Sequence, residues 1–136
     1  MGAPLWRKFI KPRMEIMYRH AKKNGKFILQ HSCGDIEEIF DDLIEIGLDC
    51  YQTVQPEIYD LKSIKEKYGQ KLSFWGTIST QQALPNLTPP EIEKIIADTA
   101  KIMGKDGGFI ISPTHAVPQD VPVENVMTMI ECFKKL

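Results

Sequence analysis

The sequence predicts an α/β fold built on a parallel sheet. Three observations carry this reading. A helical segment is followed by four strand-then-helix pairs. Glycines stand at most of the junctions, and capping signals open several helices. Regular alternation of this kind implies parallel strands joined by helical crossovers.

The first segment, Leu5 to Lys23, is helical in pattern, and Pro12 suits a first turn of a longer helix that begins near Lys11. Asn24-Gly25 ends it. A strand is expected near 27–32. Gly34 breaks it, and Asp35 is placed to cap a helix over about 36–46, where Ile36, Ile39, Phe40, Leu43 and Ile44 recur at helical spacing. Gly47 leads to a second strand near 48–53, Pro56 to a loop, and a helix over about 58–68 stops at Gly69. The third strand is expected at 71–75, with Gly76 after it and a short Gln-rich turn beyond. Thr88-Pro-Pro-Glu91 fits a capping box with proline at the first helical position, opening a helix over about 89–103. The fourth strand is expected near 108–112, then a loop over 113–122 and a last helix over about 123–135. Two architectures fit: an open doubly wound sheet, or a (β/α) barrel, which takes about 250 residues when complete. The 136 residues form one domain, about half a barrel.

Composition narrows the class. The net charge is −1, from 17 basic and 18 acidic side chains, so neither nucleic acid nor an anionic membrane is an expected partner. No apolar run approaches the roughly 20 residues that a bilayer requires. No secretory leader is visible, which points to the cytoplasm. Three cysteines do not make a disulfide framework and read as core residues, ligands or nucleophiles. Charge is uneven: residues 1–26 hold eight Lys/Arg and one Glu, whereas residues 27–50 hold seven Asp/Glu and no Lys or Arg. Two neighbouring helices with complementary exposed faces explain this best.

His31-Ser-Cys33-Gly34 is the most informative stretch. Residues i and i+2 of a strand share a face, so His31 and Cys33 project together at the C-terminal end of strand one, the end where α/β folds bind ligands. Imidazole with thiolate suits zinc, whose catalytic sites take three protein ligands and an open position. The alternative is a hydrogen-bonded histidine beside a buried cysteine. The third-ligand candidates are Cys50, His115, Cys132 and His20. His115 follows strand four and can face the same mouth. Cys50 and Cys132 fit core positions, and His20 lies in a basic, solvated helix. Gln55, Glu57, Ser79, Gln81 and Gln82 also follow strand ends, and Trp75 ends strand three, where it can line a pocket.

These residues carry a family resemblance. His31-Ser-Cys-Gly34, Val54-Gln-Pro56, Leu61-Lys62, Tyr68-Gly69, Phe74-Trp-Gly76 with Thr80-Gln81, Gly107-Gly-Phe-Ile110, Pro113-x-His115 and Asp120-Val-Pro-x-Glu-Asn125 occur in this order. They resemble the C-terminal half of uroporphyrinogen decarboxylase-like proteins, over about Leu5 to Leu136. The resemblance implies a (β/α)8 barrel with these four strands as its second half. It implies one of two chemistries. One branch decarboxylates a tetrapyrrole without a cofactor, as a lyase of porphyrin biosynthesis. The other moves a methyl group from a corrinoid protein to a small thiol, using zinc on a His-x-Cys pair and a later Cys. His31 and Cys33 favour the methyltransferase branch. No cysteine stands in the loop after strand four; His115 does, as in the decarboxylase branch. Ser79 stands where many relatives carry an aspartate.

The resulting expectations are these: zinc on His31, Cys33 and His115; His115 as the catalytic residue; and substrate contacts from Gln55, Trp75, Ser79 and Gln81. Bare strand edges and an apolar inner face further imply a homodimer or a separate N-terminal half. An inactive half barrel or partner subunit is the non-enzymatic alternative.

Overall fold

The structure is a computed structural model that describes residues 2–136. Its elements run α1 (Ala3–Phe9), α2 (Lys11–Lys23), β1 (Leu29–His31), a 3-10 turn (Glu37–Ile39), α3 (Phe40–Glu45), β2 (Cys50–Val54), α4 (Leu61–Tyr68), β3 (Ser73–Ile78), α5 (Ala83–Asn86), α6 (Pro89–Met103), β4 (Phe109–Pro113) and α7 (Val123–Phe133). All strand pairs are parallel, and the spatial order is β1-β2-β3-β4. Each strand lies beside its predecessor. A doubly wound sheet would reverse direction at a switch point; this sheet never does. It is half of a TIM-barrel-like fold, as expected.

Strand residues alternate between two unlike faces. Tyr51, Val54 and Phe74 point into a core with Phe40, Leu43, Ile64 and Tyr68 from the helices. A second core joins Ile78 to Leu84, Ile92, Ile96 and Met129. The other face carries Leu29, His31, Gln52, Trp75 and Ile110. His31 pairs with Gln52, Gln52 with Trp75 and Trp75 with Ile110, so these four form one row across the sheet. That face stays open to solvent: Leu29 is 52% exposed and Ile110 47%.

Several elements differ from expectation for local reasons. The helix expected over 36–46 begins as a 3-10 turn and becomes α-helical only at Phe40. Asp35 accepts from Glu37 N at 3.0 Å, a local turn that uses the first residues. Asp60, accepting from Ser63 N at 2.6 Å, starts α4 at Leu61 rather than near 58. Strand β3 runs through Gly76 to Ile78. Gly76 has φ +124°, and a Cβ there would sit 2.7 Å from Thr53 Oγ1, so only glycine continues the strand at this close approach. Thr77 follows at φ +85°, a costly conformation for a β-branched residue. The Gln-rich turn holds the short α5. The expected capping box is present: Glu91 accepts from Thr88 N at 2.8 Å, with Pro89 at the first helical position.

The charge asymmetry is resolved by helix pairing. Lys11 bonds Asp42 at 2.7 Å and Glu45 at 2.6 Å, Arg7 Nε reaches Asp42 at 2.8 Å, and Lys22 reaches Asp49 at 2.5 Å. Lys11, then Arg7, hold the Asp42 carboxyl below its usual range against the opposing effect of burial.

Candidate metal centre

The loop after β1 turns at Gly34, whose φ of +78° lets the chain reverse just after Cys33. Two tyrosines fix that loop from the helix side. Tyr51 OH donates to Ser32 O at 2.9 Å. Tyr59 OH donates to Gly34 O at 2.8 Å and accepts from Ile36 N at 3.0 Å. Burial, then the neighbouring Tyr59 hydroxyl, push the Tyr51 phenol far above its ordinary range, so it remains a donor. Both rings pack on Phe40, at centroid distances of 4.9 and 5.9 Å. Gln55, buried, braces the same loop: its Oε1 accepts from Gly34 N at 3.1 Å.

The opposite wall is the loop after β4. Thr114 N donates to Ile78 O at 2.9 Å, and Thr114 Oγ1 lies 3.1 Å from Thr80 Oγ1. This buried anchor sets His115 across from Cys33. Farther along, Asn125 Nδ2 donates to Leu84 O at 2.9 Å and Leu87 O at 2.8 Å, tying α7 to the end of β3 through α5.

The three ligand candidates meet at one rim. Cys33 Sγ lies 3.3 Å from His31 Nε2 and 3.2 Å from His115 Nε2. One donor atom from each of His31, Cys33 and His115 lies within 4.8 Å of the others. His31 and Cys33 are exposed and His115 half-buried, so the group faces solvent on the open side of the sheet. The imidazoles approach edge to face, with centroids 5.5 Å apart. His31 Nδ1 donates to Gln52 Oε1. Two imidazoles and a thiol converging on one point form a donor set suited to zinc, which takes four-coordinate mixed nitrogen and sulfur ligation. The residues present therefore fit the metal.

The other candidates lie elsewhere. Cys50 is buried at the start of β2, and burial, reinforced by Asp49, pushes its thiol up to about 11. It is a core residue. Cys132 packs against the second core on α7, and His20 is exposed on α2. Trp75 is half-buried on the open face, in register with Gln52. Ser79 is buried: its hydroxyl donates to the Glu57 carboxylate and accepts from Gln82 N at 2.9 Å. A carboxylate thus stands beside Ser79, supplied by the loop after β2. Ser79, Glu57, Thr77 and Gln82 line a cleft of about 630 Å³ that excludes His31, Cys33 and His115. Gln81 is exposed on the turn beside it. Sequence reasoning missed Gln52, Tyr51 and Tyr59; an amide inside β2, between Tyr51 and Thr53, was the available signal for Gln52.

Among the described residues, no helix is long and apolar enough to cross a membrane. No curated protein matches the chain. A solved methyltransferase from Methanosarcina mazei is similar in structure, with a TM-score of 0.77 and 20% identity, over 99% of this chain and 38% of that one. At that identity the likeness speaks to the fold, and this chain spans well under half of that protein. Residues 1–136 match the family described as Uroporphyrinogen decarboxylase (URO-D), and the chain belongs to it.

Proposed function

We propose that this chain supplies the metal-binding half of a zinc-dependent methyltransferase that moves a methyl group from a corrinoid to a small thiol. The observation that carries the reading is the convergence of His31 Nε2, Cys33 Sγ and His115 Nε2. His31, Cys33 and His115 would hold the ion. Zinc bound there would act as a Lewis acid, stripping the proton from a ligating thiol and leaving its sulfur nucleophilic. In the overall transfer, a sulfur–carbon bond forms and the carbon–cobalt bond breaks. The electron pair stays on cobalt, and the thiol proton leaves to solvent.

The remaining work falls to the chain's own residues. The open sheet face, with Leu29, Trp75 and Ile110, offers an apolar wall beneath the rim. Excluding water there protects a nucleophilic sulfur. Gln55 braces the Cys33 loop through Gly34 N, whereas Ser79 lines the separate cleft beside Glu57. The corrinoid arrives on a partner protein, in the cytoplasm, and the open face is closed by a second copy or by the other half of the barrel.

Zinc titration tests the reading. The chain should take up one equivalent. Cys33→Ser should lose it, and His115→Ala should bind more weakly. A wild-type chain that takes up no zinc in excess would favour the cofactor-free decarboxylase chemistry, in which His115 contacts a carboxylate arm of a tetrapyrrole. It would equally favour an inactive half barrel. Tight binding in His115→Ala would place the third ligand elsewhere.

A further inference from the structure

Gln52 touches both walls of the metal centre. Its Oε1 accepts from His31 Nδ1. Its Nε2 donates to Thr114 O at 3.5 Å, a long bond to the residue just before His115. These contacts fix one another. The Thr114 carbonyl can only accept, so the amide nitrogen must face it and the amide oxygen must face His31. An oxygen there can only accept, so Nδ1 carries the imidazole proton. The lone pair then sits on Nε2, the nitrogen aimed at Cys33 Sγ. Gln52 is placed for this by register, because it pairs directly with His31 across β1 and β2 on the open face.

We propose that Gln52 is a positioning residue that selects the ligating tautomer of His31 and links the His31 strand to the His115 loop. This inference rests on the metal reading above and deepens it. A hydrogen-bond acceptor behind a ligating imidazole orients the ring and raises its basicity, and removing such an outer group typically costs about 10–100-fold in metal affinity.

Three variants test it, with two readouts that a merely structural role would not move. The first readout is the His31 tautomer in the metal-free chain, read from imidazole nitrogen chemical shifts at a pH where the ring is neutral. The second is zinc affinity, measured by chelator competition. In the wild type, His31 should be the Nδ1–H form. Gln52→Leu, near-isosteric but unable to bond, should give a mixture of tautomers and weaken zinc about 10–100-fold. Gln52→Glu restores the acceptor but cannot donate to Thr114 O, so it should keep the Nδ1–H form while its zinc affinity falls between wild type and Gln52→Leu. If Gln52→Leu fails to fold, Gln52→Asn, one methylene too short for both bonds, carries the same expectation. Wild-type tautomer and affinity in a folded Gln52→Leu would overturn the proposal. So would a Gln52→Glu variant whose His31 shows the same mixture of tautomers as Gln52→Leu. A wild-type chain that binds no zinc would defeat the metal reading instead, and the tautomer measurement would still decide whether Gln52 controls His31.

Discussion

Tyr51 and Gln52 are neighbours in one strand, yet they belong to different environments. Tyr51 is fully buried among Phe40, Tyr59 and the helix layer. Gln52 stands in the open row between His31 and Trp75. The two faces of the sheet therefore divide the labour. The covered face holds the backbone of the Ser32–Gly34 loop through tyrosine hydroxyls, and the open face holds the imidazole that the loop must meet. The candidate metal centre lies where the two supports converge. The covered face should behave as packing, with large stability effects, and the open face as chemistry, with large binding effects and small stability effects.

Phe40→Ala should show the largest stability loss. Its ring is fully buried and contacts Tyr51, Tyr59, Tyr68 and Phe74. Truncation of such a side chain costs about 3–5 kcal/mol. That is a large part of a typical total of about 5–15 kcal/mol, so urea unfolding should show a much lower midpoint. A small loss there would break the distinction between the faces.

Tyr59→Phe sharpens it. The ring stays, and the hydroxyl that serves Gly34 O and Ile36 N goes. The expected cost is about 1–2 kcal/mol in stability. Zinc binding should weaken as well, since the loop carrying Cys33 loses one of its braces. A variant with unchanged zinc affinity would show that the covered face does not reach the site.

Lys11→Ala should show the smallest effect, about 1 kcal/mol or less, because the pair lies near the surface. Its pH dependence is set by Asp42, whose folded carboxyl is held below its usual range. A depressed carboxyl contributes stability above the ordinary aspartate range and loses it as pH falls through the lowered folded value. The difference between wild type and Lys11→Ala, followed by thermal unfolding, should therefore be full at neutral pH and shrink in acid. Zinc affinity should not change.

Much of this organisation was legible in the sequence. The β-α alternation, the capping box at Thr88 and the shared rim of His31, Cys33 and His115 follow from local pattern and from the end of the strand on which each lies. What was not legible depends on register and on contacts between distant segments. That Gln52 faces His31 and Tyr51 reaches Ser32 follows from how β1 slides along β2, which neither strand's composition dictates, and that Tyr59 reaches Gly34 follows from the path of the loop after β2. The sequence pattern ends strand β3 at Trp75, before Gly76. The glycine instead carries the strand past Thr53, a close approach that exists only once β2 and β3 are paired. The division between covered and open faces was foreshadowed by alternation. Which face would hold the chemistry was fixed only by His31.

The most direct test is zinc-edge X-ray absorption of the zinc-loaded chain. A site built on His31, Cys33 and His115 predicts one sulfur at about 2.3 Å and two imidazole nitrogens at about 2.0–2.1 Å, with a lighter atom in the open position. Adding a small thiol should raise the sulfur count to two. A first shell without sulfur, or one unchanged by Cys33→Ser, would contradict the account.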